Sequence, residues 1–380
     1  MIDFSLTGKQ QEIREKYYDF VQRWVVPNRM KYDESCEFPW EIVKEAYKEG
    51  LMNGPIPEKF GGNGYGILDG SLASEELGAG CIGIGICIDA NTLALTPLLL
   101  VGNDEQQQKF FSFINERQGV AAYCLTEPNA GSDVAGIKST AIKKGDKYIL
   151  NGHKRFITNG EVACLHTVFA LTNPERGARS LTAFIIPTDS PGIEIVSKLD
   201  KMGQRASVQN EIKYHDVEIP AENMLGGEGR GFIIAMKTFD RTRTGVASLS
   251  LGAARAAYEI SKDWAKNRIQ FGKPIAANQA VGFMLAEMAT EIETARMLTW
   301  RAAWAYDTGQ KDISILSAMS KMYASDVAMK VATNAVQVMA GEGYSKDYPV
   351  EKIMRDVKLC QIYEGTNQVQ RLVISKGIMK

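Results

Sequence analysis

The hydrophobic pattern of this chain changes period twice, and that limits its possible folds more than any other feature. From Thr7 to about Glu116 apolar residues recur at helix-face spacing, as in Ile13, Phe20, Val21, Trp24 and Val25, with Lys, Arg and Glu between them. A loop, Pro55-Ile-Pro-Glu-Lys-Phe-Gly-Gly-Asn-Gly, interrupts the pattern, and helical spacing resumes through Ser71–Leu77. Near Val120 the character shifts to short runs of β-branched and aromatic residues: Tyr148-Ile-Leu, Thr167-Val-Phe-Ala-Leu, Leu181-Thr-Ala-Phe-Ile-Ile, Ile193-Glu-Ile-Val and Glu211-Ile-Lys-Tyr. Turn residues such as Lys144-Gly-Asp-Lys and Thr172-Asn-Pro separate them, as in a small β-domain. After about Gly231 helical spacing returns, with long alanine-rich stretches at Ala277–Gly309 and Ile313–Met339. A chain of 380 residues exceeds one simple core. The expected fold is therefore α+β and multi-domain. An N-terminal helical domain (1–119) precedes a small β-barrel or sandwich (120–230) and a C-terminal four-helix bundle (231–380).

Composition excludes several function classes. A formal net charge of −1 disfavours a nucleic-acid partner, which needs a basic face. Cys36, Cys81, Cys87, Cys124, Cys164 and Cys360 form no C-x-x-C pair, and with His153, His166 and His215 they show no metal-site spacing. Scattered thiols and an N-terminus (Met1–Lys9) without a basic segment and apolar run fit a reducing cytoplasm. Cys81–Val101 carries one charge, Asp89, but Gly83, Gly85, Asn91 and Pro97 interrupt it. It is expected to be a buried helical segment, with no membrane partner.

The richest chemistry lies in Gln361-Ile-Tyr-Glu-Gly-Thr-Asn-Gln-Val-Gln-Arg371. Glu364 can act as a base, Gly365 lets backbone approach a ligand closely, and the following hydroxyl and amides can hold a polar cofactor. The same residues also suit an ordinary helix start.

Six further segments share the family pattern of acyl-CoA dehydrogenases: Tyr123–Gly136, Arg155–Gly160, Lys201–Arg205 with Val217–Gly226, Phe239–Arg243, Arg268–Lys273 and Met354–Asp356. Together with the Glu364 segment they follow that family's order over the whole chain, and their joint occurrence is specific. The chain thus resembles a flavin enzyme that abstracts an α-proton from an acyl-CoA thioester while the β-hydrogen leaves as hydride to flavin N5.

The resemblance implies FAD contacts at Tyr123, Leu125, Thr126, Gly131, Ser132, Phe156 and Thr158. It places others at Arg268, Gln270, Phe271, Gln279, Gln337, Gly341, Thr366 and Gln368, some of them reaching a neighbouring subunit of a homotetramer. Ser132, Asp240, Arg243 and Gly365 would contact substrate. Glu364 would be the base, its backbone N–H binding the thioester oxygen. Thr242 occupies the place where a minority of the family carries the base, and a threonine cannot serve. Ala340 stands where the family usually has glycine, an extra methyl expected to be a mild change.

Asp89 lies in the segment that lines the family's acyl pocket. Either it is structural, capping a helix or pairing with an arginine, or it is a second acid/base. The second reading points to a cyclic substrate such as cyclohex-1-ene-1-carbonyl-CoA, in anaerobic aromatic or alicyclic degradation. The alternatives are a short-, medium- or branched-chain substrate, or a non-catalytic flavin/CoA-binding module. A glutaryl substrate is disfavoured because Cys81–Leu100 holds no arginine. An electron-transferring flavoprotein is the expected electron acceptor.

Overall fold

The computed structural model describes residues 5–379. Met1–Phe4, part of the N-terminal stretch considered above, and Lys380 lie outside these residues. Six helices come first: α1 (Gly8–Phe20), α2 (Arg29–Ser35), α3 (Trp40–Lys48), α4 (Ile67–Gly80), α5 (Ile82–Val101) and α6 (Asp104–Glu116). Thr7 starts α1 with a capping box: its hydroxyl accepts from the Gln10 N–H, and the Gln10 side chain accepts from the Thr7 N–H.

The expected interruptions do not break α5, which is one continuous and largely buried helix. They are contact positions. Gly85 lies against Leu77 of α4, where a Cβ would come within 3.1 Å of the Leu77 Cβ. Asn91 donates to Asn53 Oδ1 (2.9 Å) and accepts from the Ala121 N–H (2.8 Å), so its amide is satisfied where the helix meets the sheet.

The middle of the chain forms strands β1 (Ala121–Cys124), β2 (Thr140–Lys144), β3 (Lys147–Thr158), β4 (Leu165–Leu171), β5 (Leu181–Pro187), β6 (Ile193–Lys198), β7 (Gln209–Pro220) and β8 (Met224–Leu225). They make one sheet in the order β6-β7-β3-β2-β4-β5-β8, with β1 parallel to β4. One face closes on itself: Tyr148, Leu150, Ile212, Tyr214 and Val217 share a core with Val168, Phe184 and Ile186. The other face of β4 and β5, with Phe169, Leu171, Leu181 and Ile185, packs on Leu95, Leu98, Phe110, Phe111 and Ile234 of the helices. Every residue of β4 is therefore buried, and its sequence shows no alternation.

The C-terminal region comprises α7 (Gly231–Asn267), a hairpin of β9 (Ile269–Gln270) and β10 (Lys273–Pro274), α8 (Gln279–Asp307), α9 (Ile313–Met339), the short α10 (Gly341–Tyr344), α11 (Val350–Cys360) and α12 (Asn367–Ile378). Helices α7, α8, α9 and α11 share an alanine-rich core. Small side chains let α7 touch α4 backbone to backbone. A Cβ on Gly252 would lie 1.9 Å from the Glu75 carbonyl oxygen, and one on Gly78 would lie 2.2 Å from that of Leu249. This crossing draws the start of α7 towards α5, and the candidate site lies there.

Candidate active site

Between α11 and α12 the chain makes a turn in which two consecutive residues are left-handed, Glu364 (φ +53°) and Gly365 (φ +91°). Glycine accepts this freely; glutamate does so only when its surroundings hold it. Gln370 Nε2 donates to the carbonyls of both Glu364 (3.1 Å) and Gly365 (2.8 Å). Lys321 Nζ, from α9, donates to the Gly365 carbonyl (2.9 Å). The Thr366 hydroxyl caps α12 by accepting from the Val369 N–H (3.3 Å). The backbone N–H of Glu364 has no hydrogen-bond acceptor among the described residues.

The Glu364 carboxyl accepts from the Thr242 hydroxyl on α7 (2.6 Å). The residue at the rival base position is thus a donor to Glu364. Protein atoms enclose the carboxyl, while the residue as a whole is only half-buried. That burial pushes its pKa up to about 7, with Asp89 adding to the rise and Thr242, Arg243 and Lys321 opposing it. Arg243 is only 5% exposed. It pairs with Asp240 (2.9 Å) and reaches the Glu364 carbonyl from below (3.5 Å), while Ser314 also donates to Asp240 (3.0 Å).

Asp89 sits within α5, not at a helix end, and no arginine pairs with it among the described residues. Neither structural role expected for it therefore holds. It accepts from the hydroxyls of Ser74 (3.1 Å) and Thr92 (3.4 Å), and burial raises its pKa. It faces α7 at Gly245, where a Cβ would come within 3.5 Å of Asp89 Oδ2. Gly245 lies about one turn beyond Thr242 on the same face of α7, so the two carboxyl groups border one space.

The flavin-segment residues form a second cluster. Tyr123 lies in β1, with Leu125 and Thr126 just beyond its end, and Phe156 and Thr158 close β3. The Arg155 N–H donates to the Thr126 carbonyl (2.9 Å) and ties the two segments together. The β3–β7 register shifts between Lys154 and Ile157, and Phe156 takes φ +60°. This bulge turns the Phe156 ring outward, leaving it 57% exposed. The Thr158 hydroxyl accepts from Gln209 Nε2 (3.3 Å), while Gly131 and Ser132 lie on an exposed loop. The Tyr123 hydroxyl is buried, and burial first and the Glu364 charge second raise its pKa, with Thr238 opposing the rise.

The remaining predicted contacts sit apart on exposed backbone. Arg268, Gln270 and Phe271 lie on or beside the β9–β10 hairpin, with Phe271 95% exposed, and Gln279 opens α8. Gln337 and Gly341 flank the α9–α10 turn, and Gln368 is exposed at the start of α12. Ala340 in that α9–α10 turn has φ +54° and ψ −130°, a region that residues with a Cβ rarely enter. The added methyl is therefore a strained substitution, not the mild one expected.

Sequence reasoning missed two buried lysines. Lys321 is one; its signal was a lone charge on the small-residue face of α9. Lys154 is the other, donating to the Leu125 carbonyl (3.0 Å) and Glu127 (2.8 Å) beneath the flavin segment.

A large flat ring fits this surface. The Phe156 ring is held outward by strained backbone, and the hydroxyl-bearing Thr126 and Thr158 lie at the two strand ends that the Arg155–Thr126 hydrogen bond ties together.

Comparison with known proteins agrees. Three family profiles match: acyl-CoA dehydrogenase N-terminal domain at residues 7–116, middle domain at 122–217 and C-terminal domain at 229–379. The short-chain specific acyl-CoA dehydrogenase of Clostridium acetobutylicum is 40% identical over the full length of both chains. The structure of butyryl-CoA dehydrogenase from Megasphaera elsdenii superposes with a TM-score of 0.97 at 41% identity, covering 100% of each chain. A chain from the structural study of the electron transferring flavoprotein of Acidaminococcus fermentans superposes equally well, with a TM-score of 0.97 at 43% identity and 100% coverage of each. Solved neighbours of this fold include FAD complexes. The chain belongs to the acyl-CoA dehydrogenase family of FAD-dependent enzymes.

Proposed function

We propose that this enzyme dehydrogenates short-chain saturated acyl-CoA thioesters between Cα and Cβ, with Glu364 as the base. The observation that carries this reading is the enclosed Glu364 carboxyl, bonded to Thr242, on a turn whose own N–H is free. With its pKa near 7, Glu364 is a far stronger base than a solvated carboxylate yet still largely ionised at pH 8. Its free N–H is positioned to donate to the thioester oxygen as charge develops there, which acidifies the α-carbon. Bound FAD supplies the acceptor for the β-hydrogen and its electron pair. Phe156, Thr126 and Thr158 would hold the ring system, and Lys154 keeps the Leu125 segment in place from beneath.

Asp89 supports a short acyl chain. A carboxyl group held by two hydroxyls faces α7 at Gly245, and an apolar tail that reached it would meet a polar group it cannot satisfy. The relatives above act, by their names, on short-chain and butyryl thioesters, which favours the straight-chain alternative over the cyclic expectation. We further propose an electron-transferring flavoprotein as acceptor, in line with the Acidaminococcus neighbour. A homotetramer would cover Phe271, Phe283 and Trp304, all largely exposed on the β9–β10 hairpin and α8.

Anaerobic mixing with butyryl-, hexanoyl-, isobutyryl- and cyclohex-1-ene-1-carbonyl-CoA tests the reading through flavin absorbance. Fastest bleaching is expected with butyryl-CoA. Fastest bleaching by the ring thioester would restore a catalytic Asp89, and no bleaching by any thioester would favour a binding module.

A further inference from the structure

We infer that Lys321 is the positioning residue of the Glu364 turn, acting through the Gly365 carbonyl and the Asn367 side chain. The inference rests on Glu364 being the base.

Lys321 is fully buried on a face of α9 that it shares with Ser317, Ala318, Ala324 and Ser325. A lysine so placed normally has a carboxylate partner, because an unpaired buried charge is strongly disfavoured. This one has none within ion-pair distance among the described residues. Its ammonium instead donates to two neutral acceptors of the turn, Gly365 O (2.9 Å) and Asn367 Oδ1 (3.0 Å). Asn367 is locked from its other end, donating to Met322 O (3.2 Å), Ser325 Oγ (2.9 Å) and Asp326 Oδ1 (2.7 Å). One lysine therefore docks both the left-handed pair and the first residue of α12 onto α9. Gln370 holds the Glu364 and Gly365 carbonyls but belongs to α12 and moves with it. Lys321 and, more loosely, Arg243 tie the turn to elements outside it.

The charge also acts on Glu364. The charged or ionisable groups around the lysine are Arg243 from α7, the Cys360 thiol from α11, Asp326 on α9 and Glu364 itself. Burial brings the Lys321 amine down to about 8, with Arg243 adding to that and Cys360, Glu364 and Asp326 opposing it. Its positive charge in turn favours the ionised form of Glu364. Removing it should leave a base that is both misplaced and harder to ionise.

The test compares Lys321→Met, Lys321→Arg and Glu364→Gln as FAD-loaded enzymes. FAD absorbance and thermal unfolding confirm that each is folded. In Lys321→Met, kcat should fall ~10- to 100-fold with KM changed less than ~3-fold. The acid limb of its kcat/KM profile should move alkaline by roughly one pH unit. Lys321→Arg, which keeps the charge, should move that limb much less. If the Met variant does not fold, Lys321→Gln, an uncharged donor, carries the same comparison. A folded, FAD-loaded variant without the charge whose acid limb stays in place would overturn the proposal, provided Glu364→Gln is inactive. An active Glu364→Gln would instead remove the base assignment on which it rests.

Discussion

Helix α7 borders two buried polar regions that treat charge in opposite ways. At its crossing with α4 every buried carboxylate meets guanidinium groups. Glu76 pairs with Arg255 (2.5 Å) and Arg14 (3.2 Å), and Glu75 with Arg296 (3.0 Å). Burial works against the Arg255 and Arg296 guanidinium groups, but their carboxylate partners more than offset it and the pKa of each is raised. Near the start of the same helix Glu364 meets a hydroxyl, Lys321 meets a carbonyl and an amide, and Asp89 meets two hydroxyls. Compensated charge fastens helices together, and its guanidinium groups hold their protons more tightly. Uncompensated charge leaves Glu364 near 7 and Lys321 near 8, where a small change in surroundings alters protonation.

The largest expected effect comes from removing the uncompensated carboxylate. Glu364→Gln should retain FAD and lose turnover by ~10³-fold or more, measured with butyryl-CoA. In the wild type, kcat/KM should rise with pH through about 7 as Glu364 ionises. Stability should run the other way. The folded pKa of Glu364 lies above its unfolded value, so its stabilising contribution is complete below the unfolded pKa and lost as pH rises through about 7. Glu364→Gln should therefore melt higher than wild type at pH 8, by about one to a few degrees, and the gap should close at pH 5. An equal gap at both pH values would mean that Glu364 is not enclosed as described.

Two glycines on α7 sharpen the contrast through packing. Gly252→Ala would drive a methyl into the Glu75 carbonyl and the Ala79 amide, both backbone atoms that cannot swing aside. A loss of ~2–4 kcal/mol is expected in thermal or urea unfolding. Gly245→Ala would meet Asp89 Oδ2 (3.5 Å) and Ser74 Oγ (4.0 Å), both at ordinary contact distance, and should unfold almost like wild type. Its effect should appear in specificity: the methyl narrows the acyl space, so kcat/KM should drop more for hexanoyl-CoA than for butyryl-CoA.

Features set by local pattern were legible in the sequence. The strands carrying Thr167–Leu171 and Leu181–Ile186, the long helices α8 and α9, and the Glu364-Gly365 pair all announce themselves within a few neighbouring residues. Features set by distant partners were not. Strand β1 reads Ala-Ala-Tyr-Cys, a weak strand signal, and exists because it pairs in parallel with β4. Gly83 and Asn91 looked like breaks because the contacts they make, to Gln204, Asn53 and Ala121, come from residues remote in the chain. The Lys321 anchor spans α9 to the turn before α12, and no spacing rule links a lone lysine to a carbonyl that far along.

Ala340 separates strain from charge. Its φ of +54° with ψ −130° lies far from the ion pairs of the crossing and beside a predicted cofactor contact, Gly341. Ala340→Gly should stabilise the protein by ~1 kcal/mol, read as a higher midpoint in urea. No gain would mean that the α9–α10 turn relaxes in solution.

Thr242→Val gives the smallest effect and isolates one hydrogen bond. Valine matches threonine in shape, so the buried face of α7 is kept and only the hydroxyl is lost. That hydroxyl donates to Glu364 Oε2 at 2.6 Å and favours the ionised carboxylate over the neutral acid. Without it the pKa of Glu364 should climb further, and the acid limb of kcat/KM should move alkaline by roughly half to one unit. Above that limb the unbonded carboxylate is, if anything, the stronger base, so kcat at pH 9 should stay within ~10-fold of wild type. The pH profile with butyryl-CoA distinguishes this from damage. A parallel drop at every pH would mean that Thr242 orients Glu364 rather than tuning it, and the uncompensated site would then owe its position, as well as its acidity, to α7.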